Sequence, residues 1–475
     1  MTSETKPTST PSMRLSGNLG VGSIVFMVVA AAAPLTVIAG VVPAGIALGN
    51  GASFPATYII ATAVLLLFAV GFTAMSRHIK DAGAFYTYIA RGLGRRSGVG
   101  GAFLALLSYA TVQLAVWGFI GAATADLVVS FGGPNVPWWA WAFLCQAVVA
   151  YLGYRNIDLS GKVLGVLLVA EVAIVLIVDA FVIGRGGTSE GLSTGFLDVG
   201  GFFSGAPGIA IAFAVAGYIG FEATAIFRDE ARDPDRTIPR ATYVALLLIG
   251  GFYGLSSWAL VSAWGDSQAI TQISGGATIV DVANTYISVV AGDLVRVLLV
   301  TSLFAAALSF HNVLARYLHA LGRSQVLPRA LGESHQHHLS PHAASVVQSV
   351  AAALWLGICI VVGLDPVAQI FTWFAGVAAV GITVLMLLTS VAVIFFFARR
   401  QGLTDRWHAA VAPGLGAIGL AGFLVMTIDN LPLMVGGNTT FAWIIVISLT
   451  LSFIVGFLLA GSRPHIARDT LEEIA

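Results

Sequence analysis

The sequence predicts an all-α integral membrane protein with twelve transmembrane helices, the first and sixth of them broken. Three observations carry that prediction. Of 475 residues, 57% are hydrophobic and only 10% are charged, whereas soluble chains carry about 25% charged residues. Apolar runs of about 20 residues, the length a helix needs to cross hydrocarbon, recur between short polar joints. Pro34 interrupts one run, and Gly217 with Gly220 interrupts another five spans later.

Each run is read as a helix because lipid offers no partner to an unpaired backbone group. The expected spans are 20–48, 55–77, 98–130, 137–155, 161–184, 202–227, 240–264, 288–321, 343–363, 367–398, 409–429 and 441–461. Ahead of them, residues 1–17 are polar, rich in Ser, Thr and Pro, and without the apolar core of a cleaved signal peptide, so a disordered tail is expected. The first span contains "VVAAAAPLTVIAG", with Pro34 in mid-run. The third carries Gln113 and Trp117, with Asp126 near its outer end. The fifth, "GVLLVAEVAIVLIVDAF", holds Glu171 too deep to snorkel, and Asp179 nearer the outer end, where interfacial water is expected. The sixth contains "AVAGYIG" and then Glu222; the eighth and tenth carry Phe310 and Trp373. Residues 18–400 form the expected ten-helix core, 401–462 two additional helices, and 463–475 a C-terminal tail. Cys145 and Cys359 sit in apolar runs as small hydrophobes.

Basic residues set the orientation. With the N-terminus in the cytoplasm, all of the 23 Lys and Arg residues except Arg185 and Arg296 fall on the inner side. Both termini are therefore expected in the cytoplasm and the chain in the plasma membrane.

A break in a helix exposes N–H groups at the start of its second half and carbonyls at the end of its first. Proline removes a donor and clashes with the preceding turn; glycine is a weak helix former. Two breaks in equivalent positions of a five-plus-five inverted repeat point to a transporter site. Such a pair suits a zwitterion, its carboxylate at the N–H ends and its ammonium at the carbonyls. The candidate substrate-binding residues are Ala31, Ala32, Ala33 and Pro34 at one break, Ala216, Gly217, Tyr218, Ile219 and Gly220 at the other, and Gln113 and Phe310 on the facing spans. Gln113, Trp117, Phe310 and Trp373 could line a pocket, but each taken individually reads first as ordinary bundle packing. Glu171 and Glu222 are the candidate proton-coupling residues, because an intramembrane carboxylate is costly and functional by default. Glu222 has a second reading, as a carboxylate that fixes the broken segment by bonding its backbone. The histidine-rich stretch 333–342 is read as a solvated loop rather than a metal site. No phosphate loop, nucleophile triad or nucleic-acid face is visible, so neither an enzyme nor a cofactor is expected.

These residues resemble the amino acid–polyamine–organocation superfamily of permeases. The carriers of the resemblance are "GYIGFEATAIFRDEARDPDRTIPRA" at 217–241, including Glu230, Pro234, Ile238, Pro239 and Ala241, "KDAGAFYTYIARGLG" at 80–94, and "ARYLHALGRSQVLPRAL" at 315–331. The resemblance implies the LeuT-type fold, alternating access, and substrate binding at the two breaks. It implies for Glu222 the acidic position that serves proton-linked exchange in some antiporters of the family, and for Phe310 a gating aromatic. The chain departs from the pattern twice. "AAAAPLT" replaces the usual glycine-rich first break, and Glu171 stands where many proton-coupled relatives carry a lysine in the place of a sodium ion.

The resulting expectation is a secondary-active permease that imports an amino acid or related small amine, with a proton as coupling ion and lipid as its surroundings. The rival readings are sodium symport, substrate–product antiport of a polyamine or cationic amine, and a non-transporting sensor or channel.

Overall fold

The computed structural model describes residues 19–79, 84–155, 161–333, 341–400 and 402–462. The expected tails, Lys80 and residues 334–340 of the histidine-rich stretch lie outside the described residues. Among those described, the chain is helical, with two isolated bridges and no strand.

Ten helices among the described residues are long and apolar enough to cross a membrane. They are Pro34–Ser76, Arg95–Ser130, Gly165–Gly184, Pro207–Ala225, Pro234–Trp264, Val289–Arg323, His342–Val362, Pro366–Arg399, Trp407–Met434 and Thr439–Gly461. The expected first and fourth spans are not separate members of that set. The first is divided: Val21–Ala31 is short, and the part after Pro34 runs on through the tight turn Gly51–Ser53 into Phe54–Ser76. The fourth corresponds to Trp138–Arg155, where Trp138, Trp139, Trp141, Gln146 and Tyr154 dilute the apolar run.

Local chemistry sets the helix starts. Proline occupies the first turn of Phe54–Ser76, Pro207–Ala216 and Pro234–Trp264, where its missing donor does no harm. The Ser288 hydroxyl accepts from the Ala291 amide at 3.3 Å and opens Val289–Arg323. Asp365 accepts from the amides of Val367 and Ala368 at 2.9 and 2.7 Å and opens the stretch that continues to Arg399.

The surface is apolar in rows. His342–Val362 exposes Val346, Val350, Leu354, Ile358 and Val361, and Thr439–Ser462 exposes Trp443, Ile447, Leu451, Ile454 and Leu458. Three- and four-residue spacing puts each set on one helix face. A soluble protein rarely leaves so large an apolar surface open; facing acyl chains, it is the right solvent contact. The broken segments are enclosed instead. Pro207–Ala216 packs between Thr372–Arg399 and Ala412–Met434, and its residues from Gly208 to Val215 are buried.

The start of the first broken helix is tied to the end of the second broken element. The Leu19 amide donates to the Glu230 carbonyl at 2.9 Å, and the Arg232 amide donates to the Leu19 carbonyl at 3.0 Å. Beside this clasp, Arg228 pairs with Asp235 at 2.7 Å and donates to the Arg77 carbonyl.

Candidate functional site

The first break lies where Val21–Ala31 ends and Pro34 begins a new turn. Ala33 between them is left-handed, with φ 47° and ψ 72°. Proline biases its predecessor away from the helical region, and Ala33 takes a conformation that costs a Cβ-bearing residue about 1–2 kcal/mol. The second break follows Ala216. Gly217 to Gly220 form turns, Gly220 has φ 112°, and a tight helix Phe221–Glu230 follows. Here glycine supplies the positive φ without strain.

The two breaks face one cavity of about 50 Å3, room for a few waters. Of the expected binding residues, Ala31, Ala32, Ala33, Ala216, Ile219 and Phe310 line it. Facing them are Val112, Ala115 and Val116 of Arg95–Ser130, Ala306 of Val289–Arg323, and Phe371 and Ala375 from the Pro366–Arg399 stretch. Among the described residues, Thr36 is the one polar side chain in this wall, and no charged group is part of it.

The other expected binding residues lie beside the cavity. Pro34 and Gly217 are buried behind the breaks, and Gly220 carries the turn itself. The Tyr218 hydroxyl shares a 2.5 Å hydrogen bond with Thr62, and its ring lies 6.2 Å from that of Tyr58. Gln113 belongs to a buried polar group in which it donates to the Ala307 carbonyl at 3.4 Å and accepts from Gln348. His311 and Ser345, joined at 2.8 Å, complete that group. The Trp373 ring lies 5.3 Å from Phe441 of the last helix.

The two acidic residues serve different breaks. Glu222 accepts from the Gly220 amide at 2.9 Å and from the Tyr109 hydroxyl at 2.5 Å, so both of its oxygens are held. It is 2% exposed. Tyr109 in turn lies 5.7 Å from the Tyr317 ring and 6.3 Å from Phe310. Glu171 sits at the other pole, on the Gly161–Gly184 helix, with the Ser302 hydroxyl and the Leu35 backbone as its hydrogen-bonding neighbours. Leu35 is in the first turn after the break, where amides lack helical partners. Ser302 also accepts from Thr36 at 3.2 Å, which links Glu171 to the cavity wall. The Tyr253 hydroxyl donates to the Ala32 carbonyl at 3.4 Å, satisfying the other lip of the same break.

Asp179 corrects an expectation. It does not meet interfacial water: it is 2% exposed and accepts from Ser256 at 2.6 Å. Asp126 is in an exposed network, 2.9 Å from Arg296, which also reaches Asp293 at 3.1 Å. Sequence reasoning missed Tyr109, Ser302 and Tyr253. For Tyr109 a signal existed, since Tyr109, Gln113 and Trp117 recur every four residues along one helix face.

Comparison with known proteins follows the same lines. The amino acid permease family matches residues 23–464. An uncharacterized transporter of Mycobacterium bovis is 24% identical over 75% of this chain and 78% of its own length. A branched-chain amino acid permease of Lactococcus lactis is 26% identical over 58% of this chain and 57% of its own. A low-affinity putrescine importer of Escherichia coli is 23% identical over 63% of this chain and 66% of its own.

Proposed function

The chain belongs to the amino acid permease family, and from that premise we propose that it is a proton-coupled importer of a neutral, apolar amino acid across the plasma membrane. The observation that carries this reading is the pair of broken segments lining one cavity whose wall is Ala, Val, Ile and Phe apart from Thr36. Two relatives named for branched-chain amino acids and putrescine support a small amine as substrate. Among the described residues this wall carries no charged side chain, which favours an apolar amino acid over a polyamine.

The proposed arrangement is the twelve-span, five-plus-five inverted repeat with both termini cytoplasmic. Peptide groups of the two breaks, released from their present partners, hold the substrate backbone, and the apolar wall takes its side chain. A cavity of about 50 Å3 must widen to admit it, so loading moves Phe310 or Phe371. Glu171 and Glu222 are the coupling carboxylates, with unequal shares. Glu171 lies on a separate helix from the break it serves, so relative motion of the two changes its partners. Glu222 travels with its own break and keeps it open, leaning on Tyr109.

The test is uptake of radiolabelled leucine and putrescine by the purified protein in liposomes, under an imposed proton gradient or an imposed sodium gradient. Leucine should accumulate with the proton gradient alone. Glu171→Gln should abolish that accumulation and retain leucine exchange. Full accumulation by a well-folded Glu171→Gln protein, or accumulation only with sodium, overturns the assignment.

A further inference from the structure

The Gly161–Gly184 helix carries a second buried acid that the proposed cycle leaves unused. Asp179 is eight residues beyond Glu171, about 12 Å along the helix axis. One of its oxygens accepts from Ser256 at 2.6 Å, and the other, Oδ1, is buried and has no hydrogen-bond partner among the described residues. Ser256 stands one turn from Tyr253 on Pro234–Trp264, and Tyr253 faces Glu171. The two carboxyl groups thus share a construction, an acid on one helix and a serine on a neighbour.

The charged and titratable groups around Asp179 are already engaged. On Ile279–Tyr286, Asp281 is bonded to Thr278, and the Tyr286 hydroxyl donates to the Ala263 carbonyl at 3.3 Å. On Val289–Arg323, Arg296 is taken by Asp126 and Asp293. Arg185, just past the end of the helix itself, donates to the Thr285 carbonyl at 3.4 Å. On Pro234–Trp264, Tyr253 bonds the Ala32 carbonyl. The remaining ionisable residues of these two long helices, from Tyr243 back to Asp235 and from His311 on to Arg323, belong to the opposite half. Val21–Ala31 and Pro34–Thr36 contribute none. No cation among the described residues offsets a negative charge on Asp179. An isolated carboxylate so enclosed is expensive, and a proton is the smallest species that removes the cost.

We propose that Asp179 is a proton-binding site in the outer half of the protein that loads Glu171 from the external side. This rests on the assignment of Glu171 as the coupling carboxylate. In the loading step the outer end of the bundle opens, external water reaches Oδ1, and a proton from it binds the ionised carboxylate, giving the neutral acid. The acid then releases a proton to water in the opened gap and returns to the anion, while Glu171 takes one from that water, so charge and protons balance. Ser256 holds the other oxygen throughout and aims the free one.

Two readouts test the site separately from the cycle. Infrared difference spectra of the purified protein across a pH series should contain a protonated-carboxyl band that Asp179→Asn deletes and Ser256→Ala shifts. In liposomes, Asp179→Asn should keep leucine exchange while proton-driven leucine accumulation falls roughly tenfold, and Asp179→Glu should recover most of it. Spectra of Asp179→Asn and Ser256→Ala that superimpose on the wild type across the whole series overturn the proton site. An Asp179 band with unchanged accumulation in Asp179→Asn overturns the loading role. If the wild-type protein shows no proton-driven accumulation, it is the transport reading that fails, and the spectra still decide whether Asp179 binds a proton.

Discussion

The two breaks solve one problem in opposite ways. At the second, the chain caps itself: Glu222 reaches back two residues to the Gly220 amide, and Gly220 takes a positive φ that glycine tolerates. At the first, the chain relies on others. Ala33 holds a left-handed conformation that disfavours a side chain, the Ala32 carbonyl takes its hydrogen bond from Tyr253, and the Leu35 backbone faces Glu171 on a separate helix. A break that carries its own acid keeps that cap as it moves, although Tyr109 on Arg95–Ser130 also holds the acid. A break served from outside is sensitive to where its neighbours stand, which is the property a coupled machine needs.

The comparison breaks most sharply through the acids. Glu171→Gln is expected to abolish proton-driven leucine accumulation, whereas Glu222→Gln keeps a partner for both Gly220 and Tyr109 and should retain part of it. Equal loss in both variants would erase the proposed distinction. Next is Tyr109→Phe, which strips a buried carboxylate of a hydroxyl donor. A loss of about 1.5–3 kcal/mol is expected, read as a lower thermal midpoint in detergent. Smaller is Gly220→Ala, about 1–2 kcal/mol from a Cβ in a left-handed region. Smallest is Ala33→Gly. It relieves similar strain at the first break, but glycine loses about 0.5–1 kcal/mol more entropy on ordering, so its thermal midpoint should move little. A large destabilisation by Ala33→Gly would show that the alanine methyl, and not the backbone alone, shapes the first break.

Much of this architecture was legible because hydrocarbon punishes exceptions. Apolar run length located most of the membrane helices, and proline and glycine marked the two breaks. The fourth expected span escapes a hydropathy criterion because Trp138, Trp139 and Trp141 are amphipathic. The left-handed residue at the first break could not be read, since Ala33 carries no propensity for it. Partners across helices were also hidden. Whether Gln113 faces the cavity or Gln348 depends on helix rotation, which pattern alone does not fix. Asp179 shows the same limit: its place near the end of an apolar run suggested water, while its face on the helix put it against Ser256.

The clasp at Leu19 has a mechanical consequence. Among the described residues, two peptide hydrogen bonds, at 2.9 and 3.0 Å, stitch the entry of one half-helix to the exit of the other. Each contributes about 1 kcal/mol net, so together they favour the joined arrangement over the separated one by roughly thirtyfold. That is strong enough to gang both segments at rest and weak enough for thermal motion to unfasten them, like a snap rather than a rivet.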